Sequence, residues 1–468
     1  MKLKTVLLNS VVFGVSAIFA QEKPAEPVKK EIKYPELKKT FNEEGTHYIK
    51  ATVVGQFWTR YTDMNPGTTI KSENGTTAAG TTTASPSAAA GGYGNVSPFD
   101  IGIRRLRFNV MAQLTDRVFF YCQFGQNNFN YTSTLYTGAF VHDAVGEYRV
   151  HKTALTIGTG LTGWSGLTRY AAPGVGSILG IDAPLYQQVT NGVNDQFLRK
   201  LSIYAKGKLG KLDYRFALSK PMVAQSSSVA LGALNTNAAT FSYLPPKVQT
   251  QGYVNYQFFD KEDNTLAYTT GTYHGKKKIL NLGAGWINQN KALWIKNANG
   301  DTVSNNMTLL GADVFMELPL SDKRNAISAY VAYTDYQMGK NYIRNTGPMN
   351  PANKVNAGGS FNGPGNAAPI IGTGQTIFAQ FAYKFKDNLF KEQGSLQPYA
   401  SVQYSMYQAL KDPMIIYEGG INWLINGDHH SKLTLGYQSR PVYRADSNGD
   451  LRVATTKGML TLQYQISF

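Results

Sequence analysis

The sequence contains little charge, one cysteine and few histidines. Charged residues make up 16% of its 468 positions, against roughly 25% in an average soluble domain. Cys122 has no partner for a disulfide within the chain, so we interpret it as a small apolar strand residue. The six histidines lack the paired spacing of zinc ligands, and no G-x-S-x-G sequence of a hydrolase occurs. We therefore predict no metal site, no cofactor and no enzymatic activity.

Long apolar runs are also missing after residue 20, where no segment reaches the roughly 18 apolar residues of a helical membrane span. Residues 1–20 have the pattern of a secretory signal peptide. Lys2 and Lys4 precede an apolar stretch, and Ala20 is the small residue before the expected cleavage site. An uncleaved membrane anchor is the alternative for this segment. Residues 21–44 are rich in Lys, Glu and Pro, and we expect them to form a solvated periplasmic linker.

The remainder of the chain alternates between apolar and polar residues with a period of two. The first run places Ile49, Ala51 and Val53 on one face, and Lys50 and Thr52 on the other. Such alternation is typical of β-strands with two different faces. We count about sixteen runs of this kind, which lies within the range of outer-membrane barrels.

The connections between these runs differ in length at the two ends of the predicted sheet. Long loops at one end and tight turns at the other are typical of outer-membrane barrels. One connection at the tight-turn end, residues 259–278, is too long for a simple turn. The long connections are residues 62–98, 160–196, 220–250 and 339–374, and the short ones include 115–117, 150–152, 207–211 and 427–430.

The last run supports closure of the sheet into a barrel. Tyr464, Ile466 and the terminal Phe468 share one face of an alternating strand, a pattern that resembles the assembly signal read by the barrel-assembly machinery. A strand in lipid cannot leave an open edge, so the last strand must pair with the first. We predict that residues 45–468 form an all-β, transmembrane antiparallel β-barrel of about sixteen strands in the outer membrane of a Gram-negative bacterium.

The polar faces of such strands would line the lumen, and their basic residues are the candidate pore-lining groups. Removal of Lys2 and Lys4 lowers the net charge of +16 to +14. A basic lumen would attract small anions, alongside neutral hydrophilic solutes, and we expect no nucleic-acid partner. The alternative is that many of these groups pair across neighbouring strands. The candidates are Lys50, Arg60, Arg105, Arg107, Arg149, Lys200, Arg215, Lys384, Lys432, Arg440 and Lys457.

Three stretches resemble the phosphate-selective porin family, porins O and P. They are the basic segment Ile103-Arg104-Arg105-Leu106-Arg107, residues 141–148 (VHDAVGEY), and residues 155–158 (LTIG), which lead toward Trp164. Together they cover about a quarter of the chain. The resemblance implies a sixteen-stranded, trimeric barrel whose third loop folds into the lumen. It also implies that Arg105 and Arg107 occupy the family's basic strand positions.

The candidate constriction loop departs from that family. Residues 160–196 contain Trp164 and Arg169 but no lysine, and Asp182 and Asp195 would offset the arginine. Dedicated phosphate binding is therefore not expected. General diffusion with mild anion preference remains the leading prediction. A structural or adhesive barrel that acts through its long loops, or an outer-membrane hydrolase, remains an alternative.

Two motifs that suggest other chemistry have simpler explanations. The glycines between Gly158 and Gly163 match G-x-G-x-x-G, but no helix follows in a βαβ unit. The acidic stretch from Asp446 to Asp450 resembles a calcium loop, but its glycine is misplaced and no Glu completes the loop. We interpret both as loop segments, with an exposed ion site as the alternative for the second.

Overall fold

A computed structural model describes most of the chain. The predicted signal peptide lies outside the described residues, as do residues 21–35 of the predicted linker and most of the loop between the first two strands. The described residues are 36–69, 99–133, 138–164, 166–188, 199–222, 234–322, 324–352, 354–355, 359–390 and 394–468.

Sixteen long strands form one antiparallel sheet that closes on itself. The sequence prediction of a barrel with about sixteen strands is therefore confirmed. The strands are β1 Tyr48–Thr62, β2 Phe99–Gln113, β3 Val118–Asn130, β4 Phe140–His151, β5 Leu155–Thr162, β6 Lys200–Leu209, β7 Leu212–Lys220, β8 Gln249–Gln257, β9 Ile279–Lys296, β10 Thr302–Pro319, β11 Ala326–Gln337, β12 Gly374–Lys384, β13 Ser395–Tyr407, β14 Met414–Leu424, β15 Ser431–Ala445 and β16 Leu451–Ser467.

Closure is made by the pairing of β16 with β1. The ladder runs from Val54 opposite Ser467 to Thr62 opposite Met459. It continues to the end of the chain, where the backbone of Phe468 exchanges hydrogen bonds of 2.8 and 3.1 Å with Val53. The predicted assembly-signal residues thus lie on the closing strand, although their role in assembly stays a prediction.

The alternation in the sequence separates the two faces of this sheet. On β16 the side chains of Leu462 and Tyr464 are 39% and 38% exposed, whereas Thr461 and Gln463 are almost completely buried. The apolar face therefore points outward and the polar face points inward, the reverse of a soluble protein. Aromatic side chains near the strand ends, including Phe385 and Phe468, are also exposed on the outside.

The two ends of the barrel carry different connections. We call them the long-loop end, with residues 63–98, 163–199, 221–248 and 338–373, and the short-turn end. The connections at the short-turn end have at most ten residues except for residues 258–278, whose length the sequence indicated. It also holds the short strand Leu37–Thr40, which pairs with β1 at Tyr48–Ala51. The described part of the predicted linker thus packs against the barrel.

The barrel interior is filled more than the strand alternation indicated, although the family resemblance implied that one loop enters the lumen. The polar faces were expected to line water, but segments from both ends fold inside and bury an apolar cluster there. Tyr170 and Tyr186 from the loop between β5 and β6 pack with Phe315, Tyr330 and Phe378 of the wall. Period-two alternation cannot reveal such loops, because it reports only the two faces of the strands. Among the described residues, no helix has the length and apolar character needed to cross a membrane.

Candidate functional site

The loop between β5 and β6 (the β5–β6 loop, residues 163–199) crosses the lumen. Its described residues, 163–164, 166–188 and 199, form only three short 3₁₀ turns, so most of their backbone polar groups need partners outside the loop. Wall side chains supply them. Lys432 and Asn422 each donate to a loop carbonyl oxygen at 2.7 Å, and Gln56 donates to another at 3.0 Å. These three residues lie on β15, β14 and β1, far along the sheet from the loop's own strands.

Glycines on three neighbouring strands let the loop lie directly against the wall. Gly252, Gly285 and Gly311 belong to β8, β9 and β10. A Cβ atom at Gly311 or Gly285 would lie 2.7 or 2.8 Å from the carbonyl oxygen of Leu167. A larger residue there would push the loop away. These glycines are visible in the sequence, but the alternation of the strands does not indicate which part of the wall the loop contacts.

Two carboxylates of the wall bind backbone N–H groups of the same loop. Asp313 on β10 accepts from the N–H of Arg169 at 2.5 Å, and Glu418 on β14 accepts from the N–H of Ile181 at 3.4 Å. A carboxylate that accepts such bonds can remain buried without a cation beside it. The loop is therefore fastened to the wall by acidic as well as basic side chains.

Asp182 of the loop pairs with two arginines of β2. Its carboxylate lies 2.8 Å from Arg104 and 2.7 Å from Arg105, and all three side chains are at most 10% exposed. Burial alone would raise the pKa of Asp182, but the two guanidinium groups lower it below its usual value. Arg105 was predicted from the sequence. Arg104 was missed, because a β-bulge opposite Gln56 and Phe57 turns its side chain inward.

Arg169 pairs with an acidic residue outside the β5–β6 loop. Glu262, in the connection between β8 and β9, accepts two bonds of 2.6 and 2.7 Å from its guanidinium group. The guanidinium also lies 3.7 Å from the centre of the Phe315 ring. Asp195, the other acidic residue counted against the charge of Arg169, lies outside the described residues. Glu262 was missed because no local pattern links a short-end turn to this loop.

The second constriction candidate, Trp164, lies at the beginning of the β5–β6 loop, directly after β5. Its side chain is buried and packs at 5.3 Å against the ring of Tyr204. The cations of Lys206 and Arg215 lie 4.8 and 5.0 Å from the Trp164 ring, within the range of cation–π contacts. Arg215, predicted to line the pore, also contacts Asp213 at 3.4 Å.

Two further candidates hold the loop between β11 and β12 (the β11–β12 loop, residues 338–373) at the long-loop end. Arg60 forms a buried ion pair with Asp100 at 2.6 Å and donates to the carbonyl oxygen of Pro348 at 2.9 Å. Arg440 donates to the carbonyl oxygen of Gly365 at 3.2 Å. These arginines therefore support an inward-folded loop, as well as adding positive charge to the interior.

The remaining basic candidates lie in several separate places. Three of them pair with carboxylates, whereas the other three contact a histidine, contact a glutamine or lie buried. Lys50 pairs with Glu36 at 3.1 Å, Lys457 with Asp63 at 2.9 Å, Lys384 with Asp387 at 2.5 Å, Arg107 contacts His142, Arg149 donates to Gln113 at 3.3 Å, and Lys200 is buried on β6.

Cavities remain on both sides of the β5–β6 loop. One lies between this loop and the β11–β12 loop and is lined by Asp182, Gln403 and Arg440. A second, of about 230 Å³, lies beside Tyr121 and Tyr268. A third, of about 310 Å³, lies at the short-turn end, and most of its charged lining is basic: Arg117, Arg149, Lys152, Lys206 and Lys208, with Glu147.

The acidic stretch near residue 446 is occupied by a side chain of the protein itself. Arg452 lies 3.0 Å from Asp446 and 3.2 Å from Asp412, and its guanidinium also reaches Asp450 at 3.9 Å. The arginine supplies the positive charge that a calcium ion would bring. Within the described residues, no group of three or more potential metal-binding side chains is found.

Comparison with known proteins supports the fold. No protein-family model matches the chain, and no curated protein sequence matches it. Among solved structures, Pseudomonas putida OprB is similar over 90% of this chain and 94% of its own, with a TM-score of 0.52 and 8% identity. The outer membrane channel DcaP of Acinetobacter baumannii is similar over 92% and 99% of the two chains, with a TM-score of 0.46 and 12% identity.

A third similar structure is the anion-selective porin from Comamonas acidovorans, which matches over 90% of this chain and all of its own, with a TM-score of 0.44 and 10% identity. At such identities the likeness concerns the fold and not the transported solute. The resemblance to the phosphate-selective porins O and P stays a prediction. Together, the closed sheet and the similarity to OprB identify the fold as a sixteen-stranded antiparallel β-barrel.

Proposed function

We propose that the protein is an outer-membrane porin through which small hydrophilic solutes diffuse passively, with a preference for anions. The observation that carries this proposal is the charge of the interior. Among the described residues, twelve Arg and Lys side chains are buried against seven Asp and Glu side chains. An excess of fixed positive charge inside a low-dielectric wall raises the local concentration of anions.

At the short-turn end, basic side chains line a cavity that is large enough to hold solvent. Five basic side chains and one glutamate supply the charge around the cavity of about 310 Å³ there. Lys152 is exposed on the turn between β4 and β5, so its charge is available to a passing solute. An anion that crosses the barrel would meet this field at one mouth and the cluster of Arg104, Arg105 and Asp182 deeper inside.

Reversal potentials in planar bilayers test the proposal. Under a potassium chloride gradient, the purified barrel should conduct in discrete steps and favour chloride over potassium. The variant Lys152→Glu should lower the chloride preference. Lys296→Glu is the matched control, because Lys296 is exposed at the opposite end of β9 and does not line that cavity. A wild-type channel that favours potassium would contradict the anion preference and leave the porin function standing.

A structural barrel is the second candidate, because segments from both ends fill much of the interior. Absence of conductance steps from a correctly folded barrel, together with a partner that co-purifies with its loops, would favour it. The homotrimer, the outer-membrane location, recognition by the barrel-assembly machinery and cleavage after residue 20 remain predictions from the sequence.

A further inference from the structure

The strands β8 and β9 would meet in a tight hairpin without the segment between them. The regular pairing of the two strands ends at Gln257 opposite Asn281, and two further backbone hydrogen bonds extend it in the same register. Phe258 N donates to Leu280 O at 2.9 Å, and Asp260 N donates to Lys278 O at 3.0 Å. A two-residue turn could close the ladder at that point. Residues 261–277, which we call the short-end insert, are therefore an addition that the strand pairing does not require.

The short-end insert runs into the lumen and binds the β5–β6 loop through its backbone. Thr269 donates its N–H to Ala172 O at 2.8 Å and accepts from Gly174 N at 2.8 Å. The hydroxyl of Tyr170 donates to Gly271 O at 3.1 Å. Two segments that enter from opposite ends of the barrel thus meet and share a short stretch of parallel β-bridge geometry.

A buried ion pair joins the same two segments. Glu262 of the insert and Arg169 of the loop form two parallel bonds of 2.6 and 2.7 Å, with side chains 8% and 1% exposed. The hydroxyl of Tyr273 donates to Glu262 at 2.7 Å. Burial alone would raise the pKa of Glu262, but the Arg169 guanidinium lowers it, so the carboxylate stays ionised. A bidentate pair fixes orientation as well as distance.

The insert also accepts hydrogen bonds from cationic side chains of the wall. Arg215 on β7 donates to Ala267 O at 3.0 Å, and Lys206 on β6 donates to Thr265 O. On β10, Glu317 accepts backbone N–H bonds from the insert, the shortest at 2.7 Å. The insert therefore fills space at the short-turn end and uses part of the positive charge that the wall would otherwise present to a solute.

We propose that the short-end insert sets the cross-section and the charge of the channel from the short-turn end, with Glu262 as the residue that positions Arg169 and the β5–β6 loop. This inference rests on the channel function proposed above. The constriction is then determined by contacts between segments from both ends, and the β5–β6 loop alone does not define it.

The first test replaces residues 261–277 with Asn-Gly, which continues the ladder from Asp260 to Lys278 through a type I′ turn. Single-channel conductance should rise by about two-fold or more, because current grows with the open cross-section. Ion selectivity should change as well, because Arg169 loses the carboxylate of Glu262 and because Lys206 and Arg215 lose carbonyl partners. A folded, heat-modifiable barrel with unchanged conductance and selectivity would overturn the proposal.

The second test leaves the insert in place and uses Glu262→Gln. This variant leaves Arg169 buried without its counter-charge, so the loop should flicker between conductance levels. The double variant R169Q/E262Q removes both charges and should be quieter than E262Q. Asp387→Asn is the matched control, because Asp387 lies at the short-turn end and pairs with Arg324 and Lys384 instead of the insert. E262Q traces as quiet as those of D387N would contradict the positioning role.

A readout independent of current separates this inference from the channel function. Arg169 is 1% exposed while it is bound to the insert, so trypsin can cut after Arg169 only when the insert and the β5–β6 loop separate, and E262Q should be cleaved there faster than wild type and D387N. If wild type does not conduct, the proposed function fails, and the cleavage rates still decide whether Glu262 holds the insert. Equal cleavage in all three proteins would refute that role.

Discussion

Replacing Asp182 with Asn removes a carboxylate that faces two buried guanidinium groups. The contacts with Arg104 and Arg105 are 2.8 and 2.7 Å long, and the carboxylate is only 10% exposed. At that separation and an effective dielectric constant near 20, each pair attracts by about 6 kcal/mol before desolvation is subtracted. Loss of one partner from a buried pair costs about 3–5 kcal/mol. Because Asn can still accept a hydrogen bond, we expect the free energy of unfolding to fall by about 3 kcal/mol.

Urea unfolding of the detergent-folded barrel measures this change, and reversal potentials give a second readout. The D182N variant removes a negative charge from the lining of the cavity between the two long loops, so its chloride preference should increase. Asp116→Asn is the control, because Asp116 is 87% exposed beside His47. The control should change stability by no more than about 0.5 kcal/mol.

The stability of wild type and of D182N should depend differently on pH. The pKa of Asp182 is lowered in the folded protein, so its contribution to stability is present above the unfolded value of about 3.9 and is lost as pH falls further. D182N should lack this acid-dependent loss. Unchanged stability at neutral pH, together with unchanged selectivity, would show that the two arginines do not depend on this carboxylate.

Two other predictions concern the short-turn end and the outer face. Burial lowers the pKa of His274 and that of His429, the latter to about 3, and the centres of the two rings lie 4.0 Å apart. Stability should therefore fall below pH about 6.5, by up to about 1.4 kcal/mol per histidine and pH unit, and a double Phe variant should flatten this dependence in urea titrations. In lipid, Leu435→Arg on the outer face should lower the free energy of unfolding by about 2–4 kcal/mol, whereas Val453→Arg near a strand end should lower it by at most about 1 kcal/mol. Equal losses in the two variants would contradict a lipid-facing exterior.

The fold could be predicted because a barrel wall is specified locally. Each strand must present one face to lipid and the other to the interior, so the alternation that ends in Leu462 and Tyr464 contains both the strand and its orientation. Closure followed from the same physics, since an unpaired edge cannot exist in hydrocarbon. No long-range information was needed for either conclusion.

The interior could be predicted only in part, because its contacts are long-range. Arg105 follows from alternation, but Arg104 faces inward through a bulge that no periodic pattern contains. Glu262 is 93 residues from Arg169, and their contact depends on two irregular segments that meet inside the wall. The unusual length of the β8–β9 connection was the only sequence sign that something enters from the short-turn end.

The β5–β6 loop also has a mechanical consequence. Its backbone is bonded to Asn422, Lys432 and Gln56 on one part of the cylinder and to Asp313 on another. A hollow tube flattens easily under lateral pressure, whereas a tube with a fixed strut across its bore does not. The loop is such a strut, so bilayer thickness and tension should alter the shape of this barrel less than that of an empty cylinder of the same circumference.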